Sequence, residues 1–311
     1  MKQLPKQVFI TEQAPRDGLQ DVKEFVPTEK KARLIRMIAE SGVRSLSVTS
    51  FVSPQWVPQM ADAEELLKAL GPAPAGVTYS AVVPNGKALE RALALPKEIR
   101  PGRVGVPASA SETFQKKNVN RTVAETIAEL KDIAAEARRH GIVVGASVSM
   151  AFGCPYEGDI PVSKVVETAR KLLETGVDGV SLADTTGTSN PRLTREICEA
   201  AVREVPAEKL SLHIHDSRGM GLACVLAALE CGITRMDGSV GGIGGCPYAK
   251  GARGNIASED LVHMLHEMGI ETGINLDKLI ACGKYVRDEL KLPTTSQVLE
   301  SGAVNHKGKA A

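Results

Sequence analysis

The chain has 311 residues, with 38 Lys and Arg against 37 Asp and Glu for a net charge of +1, and 43% hydrophobic against 24% charged residues. Those proportions belong to a folded globular chain, and the near-zero charge leaves no basic field to hold a nucleic-acid backbone. No run of about 18 uncharged apolar residues is present, so a membrane span is not expected, and the balanced charge speaks against a nucleic-acid partner.

In chain order, the first segment, Met1 to Gln7, offers neither an apolar signal core nor an Arg-rich presequence and leads directly into a strand over 8–12. That strand runs into Glu12-Gln13-Ala14-Pro15-Arg16-Asp17-Gly18-Leu19-Gln20, where a guanidinium and a carboxylate stand side by side before a glycine turn. Taken alone, this pair reads as a surface ion pair at least as readily as a working site. Short strand-like runs over 45–49, 78–83, 103–106, 143–148, 179–183, 210–215 and 235–239 then alternate with amphipathic stretches near 28–41, 61–70, 86–95, 121–140, 163–175, 191–204, 219–231 and 258–268. Thr122 and Glu125 have capping-box spacing, and Asn190-Pro191 reads as a cap followed by the first helical residue. Gly42, Gly141, Gly176, Gly232 and Gly269 each sit where a left-handed residue would end a helix. Eight strand–helix units without a composition break predict an α/β fold of the (β/α)8 TIM-barrel class over about 5–270, within one domain covering 1–311. A doubly wound open sheet is the alternative, but no G-x-G-x-x-G follows the first strand. One further helix is expected over 276–290, followed by a frayed polar tail.

In such a barrel the working residues gather at the carboxyl ends of the strands. Near the end of the seventh strand, His213 and His215 alternate with Leu212 and Ile214, so both imidazoles point to one face and can share one cation. Two hydrogen-bonded core histidines are the alternative, although burying both without a shared ligand is awkward. Asp17, His213, His215 and Asn255 form a donor set of oxygen and nitrogen without sulfur. Two imidazoles and a carboxylate serve Zn2+ or Fe2+, whereas an added amide oxygen and water positions suit Mg2+ or Mn2+ better, with Zn2+ less favoured. After the eighth strand comes a glycine-rich loop over 241–254, in which Cys246 is a candidate reactive thiol or, alternatively, a buried one. Cys198, Cys224, Cys231 and Cys282 fall in helices and read as packing residues. The six cysteines, Cys154 included, show no C-x-x-C spacing, which predicts a cytoplasmic protein without a disulfide framework or zinc knot.

With these residues in place, the sequence resembles the 3-hydroxy-3-methylglutaryl-CoA (HMG-CoA) lyases, within the wider group of metal-dependent barrel lyases and Claisen-condensing synthases. The resemblance covers nearly the whole chain. It rests on Pro15-Arg16-Asp17-Gly18-Leu19-Gln20, Thr49-Ser50-Phe51-Val52-Ser53-Pro54, Lys117-Asn118, Gly153-Cys154-Pro155-Tyr156-Glu157-Gly158, His213-x-His215-Asp216 and Gly244-Gly245-Cys246-Pro247-Tyr248-Ala249. It implies a carbon–carbon lyase that cleaves the C2–C3 bond of a 3-hydroxyacyl-CoA by a retro-Claisen step. Asp17, His213, His215 and Asn255 would be the metal ligands, for Mg2+ or Mn2+. Arg16 would face the thioester, Asp17 or His213 would act as base, and Cys246 would protonate the enolate. Gln20, Ser50, Lys117, Asn118 and Asp184 are expected at the substrate and CoA, and a homo-oligomer is expected.

The sequence departs from the family pattern where the acyl group would sit. The family's Glu-Thr-Thr-Ser-Phe is Ser47-Val48-Thr49-Ser50-Phe51 here, and its Arg-Gly-Tyr-Val-Ser is Gly145-Ala146-Ser147-Val148-Ser149. An acid, a guanidinium and a phenol are therefore replaced together. The expectation is that Ser47, Gly145 and Ser147 cluster at the barrel mouth, away from Arg16, and leave a larger, less polar floor that alters acyl specificity.

Overall fold

The computed structural model describes residues 4–245 and 254–304. Eight parallel strands close on themselves in sequential order: β1 (Phe9–Glu12), β2 (Ser45–Ser50), β3 (Thr78–Val82), β4 (Arg103–Ser109), β5 (Val143–Ser149), β6 (Gly179–Asp184), β7 (Leu210–Ile214) and β8 (Arg235–Gly238). The seam is the β1–β8 pairing, with Phe9 opposite Arg235 and Thr11 opposite Asp237. The fold is a (β/α)8 TIM barrel, as the alternation of elements predicts.

The outer layer holds α1 (Thr28–Glu40), α2 (Ala63–Leu70), α3 (Gly86–Leu93), α4 (Glu112–Val119), α5 (Val123–Arg139), α6 (Val162–Glu174), α7 (Pro191–Glu204), α8 (Gly221–Leu229), α9 (Ser258–Glu267), α10 (Leu276–Asp288) and α11 (Gln297–Ser301). None of the described helices is long and apolar enough to cross a membrane. The predicted caps are present. Thr122 and Glu125 form a capping box, the Asn190 side chain accepts from the Leu193 amide, and Gly42 and Gly141 end their helices with φ of 104° and 72°.

One helix adds to the predicted elements, and two predictions need correction. The stretch 121–140 is preceded by a separate helix, α4, whose N-cap is Ser111. Strand β4 continues to Ser109, because its later residues Pro107, Ala108 and Ser109 pair with Ser147, Val148 and Ser149 of β5. The tail is not simply frayed: α11 is capped by Ser296, and the Asp260 carboxylate accepts from the Ser296 hydroxyl and the Gln297 and Val298 amides.

The hydrophobic core lies outside the barrel wall, not within it. Leu46, Val104, Val144, Val148, Leu182 and Leu212 turn outward from the strands and pack against helix residues such as Leu34, Ile38, Leu67 and Ile197, all essentially without exposure. Burying each such side chain contributes about 1.5–3 kcal/mol. The inward positions are another matter, since Gly145, Ser147, Ser149, Ser181 and Ser211 keep partial exposure inside a closed wall.

Candidate active site at the carboxyl end of the barrel

Beyond β1 the chain forms a single π-helical turn, Ala14–Gly18, that brings Arg16 and Asp17 over the barrel axis. Glu12 fixes this turn from below. Its buried carboxylate accepts from the Ala14 amide at 2.8 Å, from the Val240 amide at 2.8 Å and from the Ser258 hydroxyl at 2.6 Å. Gly18 is needed because a Cβ there would sit 2.7 Å from Ile243 Cγ1.

The predicted metal ligands converge. Donor atoms of Asp17, His213 and His215 all lie within 4.8 Å of one another. His213 Nε2 and His215 Nε2 are 3.1 Å apart, and His215 Nε2 is 3.4 Å from Asp17 Oδ2. Asn255, paired to His215 through an isolated antiparallel bridge, donates its Nδ2 to Asp17 Oδ2 at 2.8 Å. Asn255 Oδ1 is buried and has no hydrogen-bond partner among the described residues. A buried acceptor left unpaired is costly unless something completes it. Together with two facing imidazole nitrogens and a carboxylate, it fits a divalent cation held by nitrogen and oxygen donors.

The surroundings tune these groups. Burial alone would push the Asp17 carboxyl up, but the paired Arg16 guanidinium, His215 and His213 hold it well below the usual carboxylate range. For His213, burial favours the neutral ring, yet the Asp237 carboxylate 3.0 Å from Nδ1, with Asp17 beyond it, raises its pKa overall. That contact places a proton on Nδ1 and leaves the Nε2 lone pair to face the site. Gln13 ties the two sides together, donating Nε2 to Asp237 Oδ2 at 2.9 Å and accepting from an Arg16 terminal nitrogen at 2.8 Å.

Gln13 and Asp237 were not singled out in the sequence. Asp237 carried a usable signal, being an acid on the inward face of a strand whose neighbour bears His213.

A cavity of about 1800 Å3 opens at this site and is lined by Arg16, Asp17, Gln20, Lys117, Asn118, His213 and His215, among others. Lys116 and Arg121 line it as well, and the Lys117 ammonium lies 4.9 Å from the centre of the Tyr156 ring. Two expected substrate residues are placed otherwise. Asp184 accepts from the Thr188 amide at 3.0 Å and the Ser189 amide at 2.8 Å, so it closes the turn after β6 and stays off the cavity lining. Ser50 is fully buried and also lies off that lining. Cys246 lies outside the described residues.

The three departing positions do not cluster as expected. The Ser47 hydroxyl accepts from Arg16 Nε at 3.4 Å, so it lies beside Arg16 and not away from it. Gly145 pairs with Gly179 at the start of β6, well below the mouth, because β5 enters the barrel at Val143. The floor beneath the site is not less polar either, since Ser47, Ser147, Ser211 and Arg103 are among the residues that line it.

Comparison with known proteins agrees with this arrangement. The HMGL-like family profile matches residues 7–286. The mitochondrial hydroxymethylglutaryl-CoA lyase of Rattus norvegicus is 44% identical over 301 residues, covering 97% of this chain and 91% of the rat protein. The crystal structure of the HMG-CoA lyase of Bacillus subtilis superposes with a TM-score of 0.92 at 40% identity, covering 96% of this chain and 98% of the other. An HMG-CoA lyase from Acinetobacter baumannii, solved in complex with coenzyme A and 3-methylmalate, gives a TM-score of 0.90 at 35% identity over 100% of this chain and 99% of the other.

Proposed function

The chain belongs to the HMGL-like family and is a carbon–carbon lyase, and from that premise we propose that it is a divalent-metal-dependent acyl-CoA lyase acting on a 3-hydroxyacyl-CoA with altered acyl specificity. The observation that carries this reading is the convergence of Asp17, His213 and His215, beside the unpaired Asn255 Oδ1, at the mouth of the cavity. The coenzyme A bound to the Acinetobacter relative supports an acyl-CoA substrate.

In this reading Asp17, His213, His215 and Asn255 hold Mg2+ or Mn2+, which when bound orients the substrate's 3-hydroxyl and makes it more acidic. The hydroxyl proton passes to a carboxylate oxygen of Asp17, since His213 Nε2 is the atom that would hold the cation and its Nδ1 faces Asp237, so that ring has no free nitrogen to accept it. The C2–C3 bond then breaks. Its electron pair becomes a thioester enolate, and the hydroxyl-bearing carbon becomes a ketone. Arg16, paired with Asp17 on the cavity lining, stabilises the charge that develops on the enolate oxygen. Cys246, or a water beside it, returns a proton to C2, giving acetyl-CoA and an oxo acid. With 3-hydroxy-3-methylglutaryl-CoA the oxo acid is acetoacetate. Lys117 and Asn118, with Gln20, serve the CoA and thioester from the cavity wall.

An unaltered HMG-CoA lyase with rebuilt surroundings is the second reading, favoured by the 44% identity to the rat enzyme. An aldolase or Claisen synthase on the same barrel is a further alternative. We take the chain as one cytoplasmic lyase domain that assembles as a homo-oligomer. The test is a turnover screen of the purified protein with Mg2+ and with Mn2+ on a panel of 3-hydroxyacyl-CoAs. Metal-dependent release of acetyl-CoA supports the lyase reading, and a higher kcat/KM for another acyl group than for HMG-CoA supports altered specificity. Absence of acetyl-CoA from every member contradicts the lyase reading.

A further inference from the structure

Gln13 stands between the two halves of the site. It follows β1, precedes the π-helical turn and is only 6% exposed on the cavity lining. Its backbone is fixed, because its amide donates to the Gly238 carbonyl at 2.8 Å while its carbonyl accepts from the Arg16 and Gly18 amides at 3.1 Å. Its side-chain amide is used from both ends. Oε1 accepts from Arg16 Nη2 at 2.8 Å, and Nε2 donates to Asp237 Oδ2 at 2.9 Å. Turning the amide over would set its oxygen against a carboxylate and its NH2 against a guanidinium, so only this orientation serves both partners.

The consequence falls on Arg16. A guanidinium beside a carboxylate favours the forked geometry, with two parallel N–H···O bonds to the two oxygens. Arg16 does not take it. Nη1 donates to Asp17 Oδ1, Nη2 turns to Gln13, and Nε reaches Ser47 Oγ at 3.4 Å. Asp17 Oδ2 is left to the other side, where Asn255 Nδ2 lies 2.8 Å away and His215 Nε2 3.4 Å away. The carboxylate is thus divided, one oxygen going to the guanidinium and one to the cluster with His213 and His215. The Ser47 contact is too long to hold Arg16 in this posture alone, so Gln13 Oε1 is the acceptor that decides it.

We propose that Gln13 is a positioning residue that keeps Arg16 off Asp17 Oδ2 and so reserves that oxygen for a divalent cation. Without the side-chain oxygen of Gln13, Arg16 Nη2 loses its acceptor and turns onto Oδ2, closing a two-bond fork that competes with the cation for the same lone pairs. This assignment rests on the metal-site reading above. It adds a requirement that the identity of the ligands does not contain, since Asp17 serves as a ligand only while Arg16 is tied elsewhere.

The experiment measures calorimetric Mn2+ affinity on chelator-treated protein without substrate. It compares the wild type, Arg16→Met, and Gln13→Leu and Gln13→Asn, each with and without Arg16→Met. Leucine fills the place of glutamine without an acceptor, and asparagine, one methylene short of both partners, carries the test where leucine upsets the fold. Each Gln13 variant is expected to bind Mn2+ roughly tenfold or more weakly than the wild type, the scale of losing a residue that orients a ligand. Arg16→Met alone should stay within about threefold of the wild type. With the competing guanidinium gone, each double variant should return to within about threefold of Arg16→Met, because the two positions act on one contact and couple. A general loosening of the turn would not be repaired by removing a second side chain. Unchanged affinity in either folded Gln13 variant, or a double variant as weak as its Gln13 parent, overturns the Gln13 assignment and leaves the metal site standing. A wild type that binds no Mn2+, or binds it no better than His213→Ala, overturns the metal-site reading itself, and the Gln13 assignment with it.

Discussion

His213 shows how a side chain acquires a role from neighbours distant in sequence. Its spacing from His215 is plain in the strand alternation, but its protonation state is set by Asp237 on the next strand and, through Gln13, by β1. Removing this imidazole takes one donor from a scaffold that the barrel wall builds without it. His213→Ala should therefore abolish metal-dependent turnover while the circular-dichroism spectrum and melting temperature stay near those of the wild type. A variant that unfolds would make His213 a structural residue. Arg16 poses a sharper question, because it pairs with Asp17 while also contacting Gln13 and Ser47. If its main task is to stabilise enolate charge, Arg16→Met should lower turnover by roughly 10²-fold, the scale of losing one such donor. Calorimetric Mn2+ affinity should change far less. Equal losses in both would assign Arg16 to holding Asp17.

The elements that carry the site were less legible than its residues. The π-helical turn after β1 was read only as a glycine turn, because its shape depends on Glu12 reaching Val240 and Ser258 across more than 200 positions of sequence. Helix α4 was missed since it buries little beyond Phe114 and Gln115 and so lacks an apolar stripe. A second acid, Glu259 of α9, holds the Val240–Gly242 turn by accepting from the Gly241 amide at 2.9 Å. Burial pushes the Glu259 carboxyl up to about 8, from an ordinary value of 4.5. Between those values the folded chain keeps a proton that the unfolded chain has lost. The contribution of Glu259 to stability therefore falls as pH rises through that window, by roughly 1 kcal/mol per pH unit, and levels off above it. Glu259→Gln mimics the protonated form at every pH. Relative to this variant, the wild type should lose denaturant stability steadily from pH 5 to pH 8, a window bounded by the raised value. A stability difference that stays constant with pH would show that Glu259 is ionised throughout.

At the scale of the whole molecule, the barrel was readable from the repeated strand–helix rhythm, and the end that gathers Asp17, His213 and His215 followed from the rule that working residues sit where strands end. What could not be read was depth. Ser47, Gly145 and Ser147 appeared as one cluster because all three depart from the family pattern, yet strand register sets them at different heights. Strand tilt and shear fix height, and neither is written in the local sequence. The same register puts small and polar side chains on the inward face, so the fold is stabilised by the apolar layer outside the wall. The central claim is that Asp17, His213, His215 and Asn255 together make this barrel a metal-dependent carbon–carbon lyase. It is tested most directly by chelator-treated protein incubated with HMG-CoA and with other 3-hydroxyacyl-CoAs, acetyl-CoA being quantified before and after Mn2+ is restored. The account predicts almost no acetyl-CoA before restoration and stoichiometric acetyl-CoA and oxo acid from at least one thioester afterwards. Release at the same rate with and without the cation, or no release from any thioester in its presence, would contradict it.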